Sequence, residues 1–116
     1  MQIQKVGLIA IALCIAGSIA TGCNKTHAEK VSTFTVYGNC GMCEKTIEGS
    51  LKQKGIYSAD WDKETKIIQV RFDSTLYTIE SIHQLIAASG YDTELTKAPD
   101  EAYNALHACC QYNRPL

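Results

Sequence analysis

The chain of 116 residues carries 11 basic and 12 acidic side chains, which gives a formal net charge of −1 with neutral histidines. This near-equal number of acidic and basic side chains argues against a nucleic-acid partner, because surfaces that bind phosphate backbones carry a clustered excess of positive charge. The length suits one domain with appendages, and the sequence has neither an internal repeat nor a low-complexity tract.

The first 22 residues are typical of an export signal. Lys5 precedes an almost wholly apolar run over 6–20, and small residues follow this run. The run is shorter than the roughly 20 residues that a helix needs to span a bilayer. We therefore interpret 1–22 as a secretory signal peptide.

Cys23 follows this segment in the sequence Ala-Thr-Gly-Cys, which resembles a bacterial lipobox with alanine where leucine is usual. The pattern predicts lipidation of Cys23, which would hold the protein on the periplasmic face of a bacterial membrane. Ordinary cleavage near the same point, giving a soluble periplasmic protein, is the alternative. Both routes remove Cys14 and place the mature chain in an oxidising compartment, where its cysteines could form disulfides.

Residues 23–31 are polar and predict a short tether to a folded domain over 32–96. Within that domain, alternating apolar residues predict strands, and apolar residues three or four apart predict helices. Thr78 suits the N-cap of the second helix, and Gly90 suits its end. The predicted strands cover 33–37, 56–62, 67–72 and 91–95, and the predicted helices cover 43–54 and 79–89.

Two predictions concern side chains on these elements. The alternation of the second strand places Tyr57, Ala59 and Trp61 on one face. His83 is expected on the solvated face or the edge of the second helix, in a structural and not a metal-binding role.

The C-terminal extension, 97–116, contains Pro99, which suits the start of a third helix over 100–108. Tyr112 and Arg114 are expected to be ordinary surface residues. The order of elements is therefore strand, helix, strand, strand, helix, strand and an extra helix. This order predicts an α+β, ferredoxin-like βαββαβ sandwich, with a four-stranded antiparallel sheet, two helices and a C-terminal helical extension.

Cys40 and Cys43 lie between the first strand and the first helix, with Cys43 in the first turn of that helix. Free N–H groups and a partial positive charge at a helix start favour thiolate over thiol, so we predict a lowered pKa for Cys43. Gly41 is expected to help the loop turn so that both sulfurs point to one place. Thiolates prefer soft ions: two of them can hold Cu(I) or Hg(II), whereas Zn(II) prefers four ligands.

Together these residues resemble the heavy-metal-associated domain family. The resemblance covers about 33–95 and rests on Val36-x-Gly38, the Cys-x-x-Cys pair, Gly55-Ile56 with Ala59, the strand IIQVRF and the sequence SGYD. It implies a ferredoxin-like fold with a metal ion held by Cys40 and Cys43. It also implies that the loop at Gly90 and Tyr91 lies beside that ion.

The loop departs from the family pattern at one point. The family usually reads Gly-Met-Thr-Cys-x-x-Cys, whereas here Gly38-Asn39 leads directly to Cys40, without the methionine that normally packs beneath the metal loop. We interpret Met42, between the two cysteines, as a loop side chain and not as a thioether ligand. The residues expected to flank the site are Gly38, Asn39, Gly41, Met42 and Tyr91.

The sequence His107-Ala-Cys-Cys adds two thiols, Cys109 and Cys110. Adjacent cysteines seldom bond to each other without strain. A last strand of about 17 Å and a returning helix of about 14 Å would bring these thiols back to the Cys-x-x-Cys pair. Our hypothesis is a shared site of three or four thiolates, with His107 as a candidate further ligand. A disulfide from the tail to the pair, and an unconnected tail, are the alternatives.

We therefore expect the protein to bind a soft metal ion, with Cu(I) favoured over Hg(II) or Zn(II), and to transfer it at the bacterial cell envelope. The expected partners are a metal-donor or metal-acceptor protein and the membrane, through the N-terminal lipid, and the chain is expected to be a monomer or a metal-bridged dimer. No catalytic residues are predicted, and we do not expect an enzyme.

Two other functions stay open. A thiol-disulfide oxidoreductase would use the same cysteine pair, but two strands follow the first helix directly, and neither Pro99 nor Pro115 lies in a core strand as a thioredoxin-type fold would require. A disulfide-stabilised envelope adaptor would bind no metal.

Overall fold

The computed structural model describes residues 28–115. The predicted signal peptide, the predicted lipidation site Cys23 and the first part of the predicted tether lie outside the described residues. The elements within 28–115 are β1 (Glu29–Thr35), α1 (Gly41–Ser50), β2 (Ile56–Trp61), β3 (Ile67–Asp73), α2 (Ile79–Ala88), α3 (Asp100–Asn104) and a 3-10 turn at Ala108–Cys110. Because β1 begins at Glu29, residues 29–31 belong to the sheet and not to the tether.

The strands form one antiparallel sheet in the order β1-β3-β2. β3 suits the centre because its alternation places Ile68, Val70 and Phe72 on one face, where all three are buried. Ile47 of α1 and Ile86 of α2 are fully buried in the same core. These observations confirm the prediction of an α+β fold in which helices pack on an antiparallel sheet.

The faces of β2 differ from the prediction. A register shift between Ile56 and Ser58 interrupts the pairing of β2 with β3, and such an irregularity changes which side chains face the core. Trp61 is buried as expected and Ala59 is half-buried, but Tyr57 is 46% exposed. Half-buried Ile56 packs against the core instead.

The prediction of a fourth strand over 91–95 is wrong. Thr93 forms an isolated antiparallel bridge with Val36. The hydroxyl of Thr93 accepts hydrogen bonds from the N–H groups of Leu95 and Thr96. The backbone N–H of Thr93 donates to the carbonyl of Thr96. The chain therefore closes on itself in a tight turn. Within the described residues the sheet has three strands.

The predicted position of His83 on the solvated face or the edge of the helix is also wrong, because this side chain is only 1% exposed. Its ring stacks on Phe34 with ring centroids 3.8 Å apart, and its Nδ1 shares a hydrogen bond with the hydroxyl of Thr93. His83 thus packs between α2, β1 and the turn that replaces the last strand.

α2 begins at the predicted residue, Ile79, and ends at Ala88, one residue before the predicted end. Thr78 and Ser81 form a capping box, and Gly90 follows the helix with a φ of +107°, a left-handed conformation that favours glycine. The C-terminal extension approaches this glycine closely. A Cβ at Gly90 would lie 2.8 Å from the carbonyl oxygen of Ala102 and 3.0 Å from the side chain of Leu106.

The C-terminal extension contains a shorter helix than predicted, because α3 ends at Asn104 and not at residue 108. The side-chain amide of Gln111 lies 3.4 Å from the carbonyl oxygens of both Asn104 and Leu106. The side chain of Gln111 thus donates to carbonyl oxygens that would be paired with backbone N–H groups in a longer helix. In the part of the chain that the structure describes, no helix combines the length and apolar character needed to cross a membrane.

The buried imidazole of His83 leads to a prediction about pH and stability. Burial lowers the pKa of His83, although the carboxylates of Glu94 and Glu80 act in the opposite direction. In the unfolded chain this pKa returns to about 6.5, so the unfolded state binds more protons below that pH. The contribution of His83 to the free energy of unfolding is therefore complete above about pH 6.5 and is lost as the pH falls from there.

Urea unfolding of wild type and His83→Gln between about pH 5 and pH 8 would measure this effect, since the variant should lose that part of the pH dependence. His107→Gln is a matched control because its imidazole is exposed, and its curve should follow that of the wild type. Parallel curves for wild type and His83→Gln would contradict the prediction.

Candidate metal centre

Cys40 occupies the N-cap position of α1 in an extended conformation, and its side chain forms no conventional cap. Serine, threonine, asparagine or aspartate usually fills this position and accepts hydrogen bonds from the first-turn N–H groups. Here the backbone N–H groups of Cys43 and Met42 lower the pKa of the Cys40 thiol. This sulfur lies 3.4 Å from Sγ of Cys43, so two thiols meet at the start of α1.

This position favours a thiolate at Cys40. Its pKa is lowered to about 7, chiefly by the backbone N–H of Cys43; burial opposes this shift, and the thiols of Cys43 and Cys110 support it. The sequence predicted the effect for Cys43, three residues further on. The effect is seen at Cys40 because this residue is the N-cap, where the free N–H groups of the first turn converge.

Asn39 and Trp61 support the loop. The thiol of Cys43 donates to Oδ1 of Asn39 at 3.1 Å. The indole N–H of buried Trp61 donates to the carbonyl of Val36 at 3.0 Å. A Cβ at Gly38 would lie 3.0 Å from the Trp61 ring and 3.2 Å from Cβ of Cys43, so glycine allows the loop to pack closely on the indole. Trp61 thus packs against the loop that lacks the usual methionine, a role that the sequence analysis missed.

The C-terminal extension brings a third sulfur to this pair. Cys110 ends the 3-10 turn, is 2% exposed, and has its Sγ 3.8 Å from Sγ of Cys40. The Sγ atoms of Cys40, Cys43 and Cys110 all lie within 4.8 Å of one another. The four cysteines of the described chain are free thiols. We call Cys40, Cys43 and Cys110 the three-sulfur group.

The other candidate ligands, Cys109 and His107, are not members of this group. Cys109 is exposed, and its Sγ lies 3.5 Å from Sδ of Met42, itself 48% exposed, and 3.8 Å from Sγ of Cys110. The imidazole of His107 is exposed and lies outside the three-sulfur group. Gly41 is the first residue of α1, and a Cβ there would meet no atom within 4 Å, so the expected need for glycine in this turn is not observed.

Tyr91 is fully buried beside the sulfurs, and its hydroxyl forms no hydrogen bond within the described part of the chain. Burial, and then the neighbouring thiols of Cys43 and Cys110, raise the pKa of Tyr91 far above its usual range. Burial also raises the pKa of Cys110 to about 12. In the metal-free protein both groups therefore keep their protons at neutral pH, and a neighbouring thiolate could accept hydrogen bonds from them.

The end of the chain is anchored beside the three-sulfur group by residues that were expected at the surface. Tyr112 is 3% exposed, and its hydroxyl donates to the carbonyl of Gly90 at 3.0 Å and accepts from the N–H of Asp92 at 2.6 Å. The guanidinium of Arg114 donates to both carboxylate oxygens of Asp92, at 2.7 and 2.8 Å, and to Asp100 at 2.7 Å. We call Tyr112 and Arg114, with these partners, the tail anchor.

The electrostatics of the tail anchor are those of a paired buried charge. Burial raises the pKa of Asp92, but hydrogen bonds from Arg114 and from the N–H of Ala98 outweigh it, so the net shift is downward. Asp92 is only 1% exposed and would be costly to bury as an unpaired carboxylate. The only sign of this contact in the sequence is that one arginine, Arg114, follows Cys109 and Cys110, while Asp92 and Asp100 precede them.

The comparisons with known proteins agree with this geometry. The family profile described as "Heavy-metal-associated domain" matches residues 33–92, which is more than half of the 116 residues. No curated protein sequence matches the chain.

Three solved structures illustrate the similarity. The CopZ metallochaperone is 27% identical and aligns over 55% of this chain and 98% of its own, with a TM-score of 0.53. Oxidized MerP from Ralstonia metallidurans CH34 is 26% identical over 58% of this chain and 96% of its own, with a TM-score of 0.54. A copper-binding domain from HMA7, a P-type ATPase, is 26% identical over 55% of this chain and 89% of its own, with a TM-score of 0.53.

Fold, loop geometry and profile match lead to one assignment: the chain belongs to the heavy-metal-associated domain family.

Proposed function

We propose that this protein binds a soft metal ion through Cys40 and Cys43 and transfers it to a partner protein at the bacterial cell envelope. The observation that carries the proposal is the pair of free thiols 3.4 Å apart at the start of α1, with the pKa of Cys40 lowered to about 7. Thiolate is the form of cysteine that binds metal, and it selects soft ions over Mg²⁺ or Ca²⁺.

The ion that we favour is Cu(I). The similar proteins include a copper-binding domain of a P-type ATPase and a protein named as the CopZ metallochaperone. Hg(II) has the same preference for few thiolate ligands, whereas a Zn(II) site usually has four ligands. The three-sulfur group offers three, which supports Cu(I) or Hg(II) over a closed zinc site.

Transfer would proceed by ligand exchange. Cys40 is half-buried, whereas Cys43 is fully buried and hydrogen-bonded to Asn39. A thiolate of the partner protein would bind the ion first, and the bond to Cys40 would break before the bond to Cys43. Partners therefore need a soft, exposed ligand of their own, as a metal donor or metal acceptor would have.

We also propose that the chain acts outside the cytoplasm, because its first 22 residues have the pattern of an export signal followed by a lipobox-like Cys23. A lipid on Cys23 would keep the domain beside the membrane, within reach of membrane-bound partners. Metabolic labelling with a tagged fatty acid tests this proposal. Label on wild type but not on Cys23→Ser is the expected result, and label on neither would refute the lipid anchor.

An oxidoreductase is the second candidate, because a thiolate beside a buried thiol is also the arrangement of a redox dithiol. The carrier proposal predicts that the reduced protein accelerates insulin reduction by dithiothreitol no more than Cys40→Ser does. Clear catalytic turnover by wild type alone would favour the redox function instead.

The carrier proposal makes a prediction about stoichiometry. Native mass spectrometry of the reduced protein with Cu(I), Hg(II) and Zn(II) should show one soft ion per chain. Cys40→Ser and Cys43→Ser should each weaken binding by at least about tenfold, because even outer-shell partners of metal ligands change affinity by that much. His107→Gln should bind as wild type does, since its imidazole lies outside the three-sulfur group. A reduced wild type that ignores all three ions would refute the proposal.

The lowered pKa of Cys40 makes a prediction about reactivity. The rate of alkylation by iodoacetamide should rise with pH through a midpoint near 7 at Cys40, because the thiolate is the nucleophile. Mass spectrometry of quenched, metal-free samples would locate the modification. In urea the first turn of α1 is lost, and the midpoint should move up towards the ordinary value of about 8.5. Identical midpoints in the folded and unfolded chain would contradict the assignment.

A further inference from the structure

We infer that the C-terminal extension supplies Cys110 as a third thiolate to the ion held by Cys40 and Cys43, so that the bound ion has three sulfur ligands within one chain. This inference rests on the proposed function and specifies its coordination. Cys110 lies outside the matched region 33–92, so the third sulfur is an addition to the domain that the family profile describes.

The sulfur separations carry the first step. Three sulfurs that share one ion at metal–sulfur distances of about 2.3 Å lie about 4.0 Å apart, whereas two that hold it linearly lie about 4.6 Å apart. Sγ of Cys40 lies 3.4 Å from Sγ of Cys43 and 3.8 Å from Sγ of Cys110. Both separations are nearer to the three-ligand value, and all three sulfurs lie within 4.8 Å of one another.

The tail anchor carries the second step, because it fixes Cys110 before any ion binds. Tyr112, two residues beyond Cys110, is held by Gly90 and Asp92, and its own carbonyl accepts a hydrogen bond from the Tyr103 hydroxyl at 2.6 Å. A ligand that is already in place loses little conformational entropy when it binds. Cys110 is therefore a better third ligand than exposed Cys109, which lies 3.5 Å from Met42 on the solvent side.

The third step comes from Tyr91. This residue is fully buried, and its hydroxyl, beside the thiols of Cys43 and Cys110, has no hydrogen-bond partner among the described residues. A buried hydroxyl without a partner is unfavourable. When an ion binds, each thiol releases its proton to solvent and becomes a metal-bound thiolate. Such a thiolate can accept the hydrogen bond of Tyr91, so the pocket is suited to the metal-bound form of these cysteines.

The three-ligand arrangement also gives the tail anchor a part in transfer. While Tyr112 holds the tail, Cys110 occupies the position that a partner thiolate would need. Release of the tail removes one ligand and leaves an ion on Cys40 and Cys43 alone, open to a partner. Tyr112 is thus a positioning residue that acts through Cys110 without contacting the ion.

The test measures sulfur coordination and ion release. The reduced protein is loaded with less than one Cu(I) per chain, and native mass spectrometry selects conditions with one ion in one chain. X-ray absorption should find three sulfurs per Cu(I) in wild type and in Cys109→Ser, and two in Cys110→Ala. Removal of Cu(I) by bicinchoninate should be faster than in wild type by at least about tenfold in Cys110→Ala.

Tyr112→Phe tests the positioning role. It keeps the ring but loses both hydrogen bonds of the hydroxyl, so release should be faster by on the order of tenfold. Tyr57→Phe is the matched control, because that tyrosine is exposed on β2 and takes no part in the tail anchor, and its release rate should equal that of wild type. Circular dichroism would verify that each variant is folded.

The outcomes separate the two proposals. Two sulfurs per Cu(I) in wild type, a measurement that needs no variant, would overturn the third ligand and leave the proposed function intact. The same holds if folded Cys110→Ala keeps the wild-type sulfur count and release rate. A wild type that binds no Cu(I), Hg(II) or Zn(II) would instead overturn the proposed function, and the third ligand with it.

Discussion

The chemistry of this protein depends on the first turn of α1, where a sulfur takes the place that an oxygen-bearing side chain fills in most helices. The free N–H groups of that turn favour a negative charge, and they lower the pKa of the Cys40 thiol at the N-cap position. The helix therefore prepares a negative charge on a soft atom before any ion arrives. Trp61 and Asn39 keep the loop in the geometry that this arrangement requires.

In the three-ligand arrangement that we propose, the C-terminal extension changes what such a loop can do. A loop with two thiolates exposes its ion to any competing ligand, whereas a third sulfur from the same chain shields one side of it. The anchoring of Tyr112 and Arg114 would make this shield part of the folded structure, because Arg114 joins the buried carboxylate of Asp92 to Asp100 at the start of α3. Under that proposal, retention and release of the ion would be separate properties, one set by the loop and the other by the tail.

Much of the fold could be predicted from the sequence because its signals are local. The alternation of Ile68, Val70 and Phe72 and the capping residue Thr78 each act within a few positions. The prediction of the last strand was wrong because the hydroxyl of Thr93 accepts hydrogen bonds from its own neighbours, Leu95 and Thr96. A short polar side chain that competes with sheet pairing in this way leaves no mark on the pattern of apolar residues.

The candidate site shows the same division between local and distant signals. The pairing of Cys40 with Cys43 follows from their spacing and from the helix that begins there. Cys110 reaches them, but by a different route from the predicted strand and helix: a tight turn, a five-residue helix and a 3-10 turn. The anchoring of Arg114 on Asp92 spans 22 positions, and no periodicity or local motif indicates such a contact. His83 was misplaced for the same reason, since its partners Phe34 and Thr93 come from other elements.

Gly90 has a consequence for protein engineering. Its backbone conformation and its missing side chain are needed at once, the first to end α2 and the second to admit the carbonyl of Ala102. The extension thus packs directly on the backbone of Gly90, in the space that a Cβ would fill. A chimaera that transplants this tail onto another domain of the same fold would seat it only where the recipient also has glycine at the equivalent position, however well its cysteines were aligned.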